Sequence, residues 1–286
     1  MKIPQSVQRV SVHGGHSGQF CHHAKDSLEA IVRAYADAGF QWVGITEHMP
    51  PASDAWRYPD EVRDSLSAAH LQARFQDYFA EVRRLQALYA GRMQLFCCFE
   101  TETYPGSEQQ VKALIAAAKP DYIVGSVHHV NGVGIDYNLD LYHQAVKSAG
   151  SVEQLYCDYF DSQHHMLEAL QPAVVGHFDL IRIFDPDYLA TLQLETVWKR
   201  VLRNLDTVAS LGLVLDFNMR GFDKTAEQYP SVPILRAALE RGIAIVPGDD
   251  SHSVSSVGRN FERGLALLAE LGHNCQWQKP RLFDWS

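Results

Sequence analysis

The stretch DYIVGSVHH, residues 121–129, is a short, mostly apolar run that ends on two histidines. Its apolar residues do not alternate strictly with polar ones, so both faces of the strand they form need cover. That pattern points to a parallel sheet with helices packed outside it. Working outward, runs of the same kind occur at 7–12, 41–46, 93–99, 172–177, 212–217 and 242–247. Helical patterns at 26–38, 68–90, 107–118, 151–169, 195–210, 231–240 and 258–271 alternate with them. The helix at 26–38 shows the logic. Asp26 or Ser27 can cap its start, Glu29 sits in its first turn, Leu28, Ile31, Val32 and Tyr35 form an apolar stripe, and Gly39 ends it. Seven strand–helix repeats predict an α/β fold whose strands form a closed or nearly closed barrel. Residues 49–67 and 129–150 read as long loops, a frequent place for function.

The chain has 286 residues and no linker-like shift in composition. With 46% hydrophobic residues it can build a large core. A net charge of −9 and the lack of any run of Lys or Arg disfavour nucleic acid and anionic membranes as partners. No apolar run approaches the roughly 20 residues that a membrane span needs, and the N-terminus has no apolar signal core. The five cysteines (Cys21, Cys97, Cys98, Cys157 and Cys275) match neither a disulfide framework nor a zinc finger, so a reduced, cytoplasmic setting is expected.

Fourteen histidines are the unusual feature. After the first strand come His13, His16 and His23; after the second, Glu47 and His48; after the third, Glu100 and Glu102. The fourth is followed by His128 and His129, and the fifth ends at His177 and Asp179. Asn218 and Arg220 follow the sixth, and Asp249, Asp250 and His252 follow the seventh. A parallel barrel gathers all strand C-termini on one face, where active sites of this architecture sit. Any one of these histidines alone would read as a hydrogen-bonded loop residue. Together, at one end of the strands, they imply metal, because clustered buried carboxylates and imidazoles are costly unless a cation compensates them. Imidazole plus carboxylate suits Zn, Fe or Mn. His22, His70, His129, His164 and His165 read as surface or supporting residues. Cys21, Cys97 and Cys98 read as packing. Asp216 is read equally as an orienting carboxylate or as a satisfied barrel residue.

The stretches HGGHSGQFCHHA, GITEHMP, FETETYPG, DYIVGSVHH, VVGHFDLIR, LDFN and GDDSH, in this order and spacing, resemble the polymerase-and-histidinol-phosphatase (PHP) superfamily, most closely its histidinol-phosphatase branch. The resemblance implies a single PHP-type domain over 1–286 with a distorted, TIM-like (β/α)7 barrel. It implies two to three divalent transition metal ions. One would take His13, His16, Glu100 and Asp250; a second Glu100, His128 and His177; a third His23, His48 and His252. The usual His-x-His of the first strand is here His13-Gly14-Gly15-His16, a departure that makes His13 the ligand to check.

The implied reaction is phosphomonoester hydrolysis, L-histidinol phosphate and water giving L-histidinol and phosphate, a step of histidine biosynthesis. A metal-bridging hydroxide would attack phosphorus, with Glu100, Asp250 and His252 as catalytic groups and His252 or Asp250 as donor to the leaving alkoxide. Arg182 is the first candidate to hold phosphate, with Arg220 and Arg259 behind it. Glu102, Asp179 and Asn218 are expected to meet the amine or imidazole of the substrate or to orient metal ligands. The rivals are a PHP-type phosphoesterase acting on nucleotides or short oligonucleotides, and a non-catalytic metal-dependent binding module.

Overall fold

The computed structural model describes residues 7–285; the ends of the expected 1–286 domain lie outside the described residues. In chain order the strands are β1 (Arg9–Ser11), β2 (Phe40–Ile45), β3 (Gln94–Glu100), β4 (Tyr122–Gly125), β5 (His129–Val130), β6 (Val133–Gly134), β7 (Val174–Val175), β8 (Val214–Asn218) and β9 (Ile245–Gly248). The helices are α1 (Leu28–Asp37), α2 (Pro59–Arg63), α3 (Ala68–Tyr89), α4 (Ser107–Ala118), α5 (Leu139–Ala149), α6 (Val152–Leu170), α7 (Tyr188–Gln193), α8 (Glu195–Leu211), α9 (Gly221–Lys224), α10 (Val232–Glu240) and α11 (Phe261–Glu270). No helix among the described residues is long and apolar enough to cross a membrane.

Seven strands pair in the order β1-β2-β3-β4-β7-β8-β9, every neighbour parallel. The two edges meet. Val12 N–H donates to Pro247 O at 2.9 Å, and Asp250 N–H donates to His13 O at 2.9 Å. The sheet is therefore a nearly closed barrel with helices around it, as expected.

Side-chain alternation along the strands splits the core in two. Val10, Val12, Trp42, Phe96, Cys98, Tyr122, Val124, Val174, Val214 and Val246 fill the barrel interior. Val43, Ile45, Cys97, Phe99, Ile123, Val175, Leu215, Phe217 and Ile245 face the helices. Cys97 and Cys98 are thus packing residues on opposite faces. Gly44 leaves room inside for Tyr122, whose hydroxyl would lie 1.7 Å from a Cβ at that position and donates to Val12 O at 2.7 Å. Outside, α1 buries Leu28, Ile31, Val32 and Tyr35, the expected stripe, and Ser27 caps it by accepting from Ala30 N–H.

The two expected loops are more structured than their composition indicated. Residues 49–67 contain a 3-10 turn (Asp54–Trp56) and α2. Residues 129–150 contain the β5–β6 hairpin and α5, which Asn138 caps and which buries only Tyr142 and Ala145. So thin an apolar face hides a helix from periodicity.

Candidate functional site

The interior alternation of the strands continues past their C-terminal ends and delivers polar side chains to the barrel mouth. On β3 the inward series Phe96, Cys98 is followed by Glu100. On β8 the series Val214 leads to Asp216 and Asn218, and after β9 Val246 leads to Asp250. His48 and His128 lie on the corresponding extensions of β2 and β4.

Glu100 is 1% exposed and is the hub. Its Oε1 lies 3.1 Å from His128 Nε2 and 2.8 Å from His177 Nε2. Its Oε2 lies 3.3 Å from His13 Nε2, 3.5 Å from His48 Nδ1 and 3.9 Å from His16 Nε2. Asp250 Oδ1 is 3.1 Å from His16 Nε2. Candidate ligand atoms within 4.8 Å of one another group as His13, Glu100 and His177; His13, His16 and Asp250; His16, His48 and His252; His48, Glu102 and His128; and His16, Cys21 and Glu47. The His23 ring stacks on His252 at 5.0 Å and lies 5.2 Å from His48. The expected histidines and carboxylates therefore meet in one place. His13 belongs with them despite its spacing. Gly14 N–H donates to Gly44 O at 2.9 Å, and a Cβ at Gly14 would sit 2.3 Å from that oxygen. Only glycine lets the chain press this close to β2 and return His16 beside His13.

Carboxylates behind the ring fix the imidazoles. His13 Nδ1 meets Asp216 Oδ2 at 2.9 Å, which resolves Asp216 as an orienting carboxylate. His128 Nδ1 meets Asp136 Oδ2 at 3.0 Å, and His48 Nδ1 meets Glu102 Oε1 at 3.1 Å. Asp249 accepts from Ser11, Tyr35 and the Gly258 N–H and anchors the loop that carries Asp250.

The donor set fits divalent metal. His13 Nε2, His16 Nδ1 and Nε2, and His177 Nδ1 are buried without a hydrogen-bond partner. Burial lowers His16 to about 4, so its ring is neutral and its lone pair is available at neutral pH. Burial pulls His13 down as well, but Glu100 and Asp250 outweigh this and hold it well above the ordinary value. Burial raises Glu100, yet His13, His48 and His128 together keep it well below the usual carboxylate range. Such mutual charging is the balance that a bound cation takes over.

Beside the cluster lies a cavity of about 250 Å³. Glu100, His128, His177, Asn218, Asp250 and His252 line it, with Arg220 and Lys224 as its cationic residues. Arg220 Nη1 donates to Asp250 O at 2.9 Å. Three expected substrate contacts fall elsewhere. Arg182 is 2% exposed, donates to Thr225 Oγ1, Glu227 O and Gln228 O, and lies between the rings of Tyr188 and Tyr229. Its side chain anchors the 225–231 loop and is not among the residues lining the cavity, an arrangement that does not support the expected phosphate contact. Asp179 is fully buried, accepts from Ser231 N–H at 2.9 Å and faces Arg182. Glu102 Oε1 meets His48 Nδ1 and accepts from the Tyr58 hydroxyl at 2.8 Å, and its Oε2 faces His129 at 3.4 Å. Asp136 and Lys224 were not singled out by sequence. Asp136 had a signal: Asn131-Gly132, with φ of 51° and 77°, is a hairpin turn that folds the chain back toward His128.

The PHP domain family matches residues 14–220. The chain is 35% identical to the "Probable histidinol-phosphatase" of Schizosaccharomyces pombe, over 92% of this chain and 87% of that protein. It is 27% identical to the histidinol-phosphatase of Saccharomyces cerevisiae, over 88% and 85%. A solved structure from Listeria monocytogenes, described as a candidate histidinol phosphatase, superposes with a TM-score of 0.79 at 25% identity, over 89% of this chain and 99% of that one. A Lactococcus lactis histidinol phosphate phosphatase, solved with Zn, L-histidinol and phosphate, superposes with a TM-score of 0.69 over 98% and 100%; at 17% identity it speaks for the fold alone. The chain belongs to the PHP domain family, in its histidinol-phosphatase branch.

Proposed function

We propose that this protein is a metal-dependent phosphomonoesterase that hydrolyses L-histidinol phosphate to L-histidinol and phosphate. The observation that carries the reading is Glu100, both of whose oxygens are ringed by histidines at the barrel mouth beside a cavity with two cationic residues. His13, His16, His23, His48, Glu100, His128, His177, Asp250 and His252 would hold two to three divalent ions, Zn, Fe or Mn, with Glu100 shared between two of them. Bound ions supply Lewis acidity, neutralising phosphoryl oxygens and making water a better nucleophile. Arg220 takes the phosphate role first given to Arg182, with Lys224 beside it, and together they offset substrate charge. Asn218 Nδ2 donates to Asp216 at 3.1 Å and to Asp250 at 3.3 Å, which keeps both carboxylates in place. As the water oxygen bonds to phosphorus, the bond to the alkoxide breaks; the proton that the water gives up must reach that alkoxide, and Asp250 and His252 stand at the mouth to pass it on. The partner is thus a small molecule. One domain over 1–286 and a reduced, cytoplasmic setting complete the proposal; Cys21, Cys97, Cys98, Cys157 and Cys275 are all free.

The test is phosphate release from L-histidinol phosphate, AMP and p-nitrophenyl phosphate, with metal analysis of the same preparation. L-histidinol phosphate should give the highest kcat/KM. Faster turnover of nucleotides would overturn the substrate assignment, and full activity after exhaustive chelation would overturn the metal.

A further inference from the structure

The two long segments marked by the sequence, 49–67 and 129–150, supply none of the candidate metal ligands, yet each sends a tyrosine to the cavity wall, Tyr58 and Tyr137. Tyr58 is pinned. Its hydroxyl donates to Glu102 Oε1 at 2.8 Å, and its backbone N–H donates to Glu61 Oε2 at 2.9 Å. Tyr137 stands at the lip, 37% exposed, directly before the Asn138 cap of α5. The two rings lie within 22° of parallel, with centres 6.2 Å apart. Parallel rings in full contact are about 3.5–4.0 Å apart. The wider spacing leaves part of each face uncovered beside the cavity. The segments also brace each other. Trp56 stacks on Tyr104 at 4.9 Å, and a Cβ at Gly132, in the turn before Tyr137, would lie 3.5 Å from the Trp56 ring.

We infer that Tyr137, with Tyr58 behind it, is the specificity element for a flat ring on the leaving group. The inference deepens the phosphatase reading above and rests on it. The mouth of the barrel has two unlike halves. Tyr58 follows β2 and Tyr137 follows β4, on either side of β3, and the Tyr58 ring lies 6.4 Å from His48 and 5.8 Å from His129. Arg220 and Lys224 follow β8, across the ring of strands from β3. A phosphate held at the cluster by these cations sends its organic part toward the tyrosines. At about 250 Å³ the cavity is smaller than the roughly 300–1,000 Å³ of sites for drug-sized ligands, so it suits a small alcohol that ends in a single ring. A planar ring stacks on the uncovered tyrosine face and gains more than its buried area gives, and a protonated imidazole adds attraction to the π-electrons. An aliphatic group of similar size gains the area alone.

The experiment compares kcat/KM for L-histidinol phosphate and for L-leucinol phosphate, which has a branched alkyl group where histidinol has its ring. Metal-loaded wild type, Tyr137→Leu and Tyr137→Phe are measured. Tyr137→Leu should lower the ratio of the two values by about 2- to 10-fold, the range of one aromatic pair. Tyr137→Phe keeps the ring and should hold the wild-type ratio. The ratio cancels any change in the metal site or in the fraction folded, which affects both substrates alike. Calorimetric titration of L-histidinol and L-leucinol into the same metal-loaded proteins gives the comparison without turnover. An unchanged ratio in Tyr137→Leu, or an equal loss in Tyr137→Phe, overturns the inference and leaves the phosphatase reading standing. A wild type that hydrolyses neither compound overturns both.

Discussion

Glu100 and Glu102 lie two residues apart on the same side of the chain, yet they meet different company. Glu100 contacts five imidazoles within 4 Å. Glu102 supports His48 and ties down the Tyr58 hydroxyl, and burial, which alone would raise it, is outweighed by His128 and its neighbours, so it stays ionised. Glu100→Gln therefore removes a negative charge from the centre of the donor set, whereas Glu102→Gln removes support from one ligand. Losing an orienting partner of a metal ligand costs about 10- to 100-fold in metal affinity or activity. Glu102→Gln should fall in that range with the metal retained. Glu100→Gln should lose more activity and bind less metal. Steady-state kinetics with metal content determined on the same samples would check this, and equal kinetics at equal metal content would refute the hub. Alternation puts both on the inward side; they differ because residue 100 ends β3 at the mouth while residue 102 lies beyond the strand. The strand-end histidines are legible in the sequence by a different rule, that a parallel barrel gathers every strand C-terminus on one face. It does not extend to Asp136, which reaches the site by a hairpin, or to Lys224, which reaches it from a four-residue helix.

Short connecting elements decide where Arg182 goes. Arg182 follows His177 and Asp179 closely in sequence, which suggested a place in the site. The chain from Leu180 to Phe184 instead makes a 3-10 turn that carries the guanidinium toward the 225–231 loop. There it satisfies backbone carbonyls and faces Asp179 Oδ2 at 3.3 Å, and the pair is almost wholly buried. Periodicity cannot foresee such a turn, because it depends on which loop arrives to receive the side chain. Arg182→Ala would leave Asp179 buried and the loop carbonyls unpaired. Breaking a buried ion pair from one side costs about 3–5 kcal/mol. The variant should lose that much stability in urea denaturation, while KM per folded molecule changes little. A large rise in KM without loss of stability would return Arg182 to the phosphate site.

Across the whole molecule the barrel brings together charges that only suit each other in proportion. The seven strands and their order of pairing follow from apolar runs that the sequence displays openly, and the closure between β1 and β9 places His13 against Asp250. What the sequence hides is the protonation of the assembled cluster, since this depends on distances. His13, His48 and His128 are each pulled down by burial but raised further by neighbouring carboxylates, to above the ordinary 6.5. Their protonated forms favour the native state, so that contribution is complete below 6.5 and is lost as pH climbs through the raised values. Burial lowers His16 and His23, whose contribution grows with pH up to 6.5 and is level beyond it. Glu100 and Glu102, held low, are ionised throughout this range and add no slope. Protein stripped of metal should therefore lose stability as the pH rises above 6.5 through those raised values. Metal reverses the sign, because its ligands must be deprotonated and each rise in pH removes a competing proton. An ion present at 100 times its Kd contributes about 2.7 kcal/mol, and the effective Kd tightens as pH rises. Melting curves of chelated and metal-loaded protein across that range should diverge, the loaded form holding its Tm while the chelated form falls. Parallel curves would mean that the histidines do not exchange protons for metal, and the cluster would then be a polar core without a cation to hold.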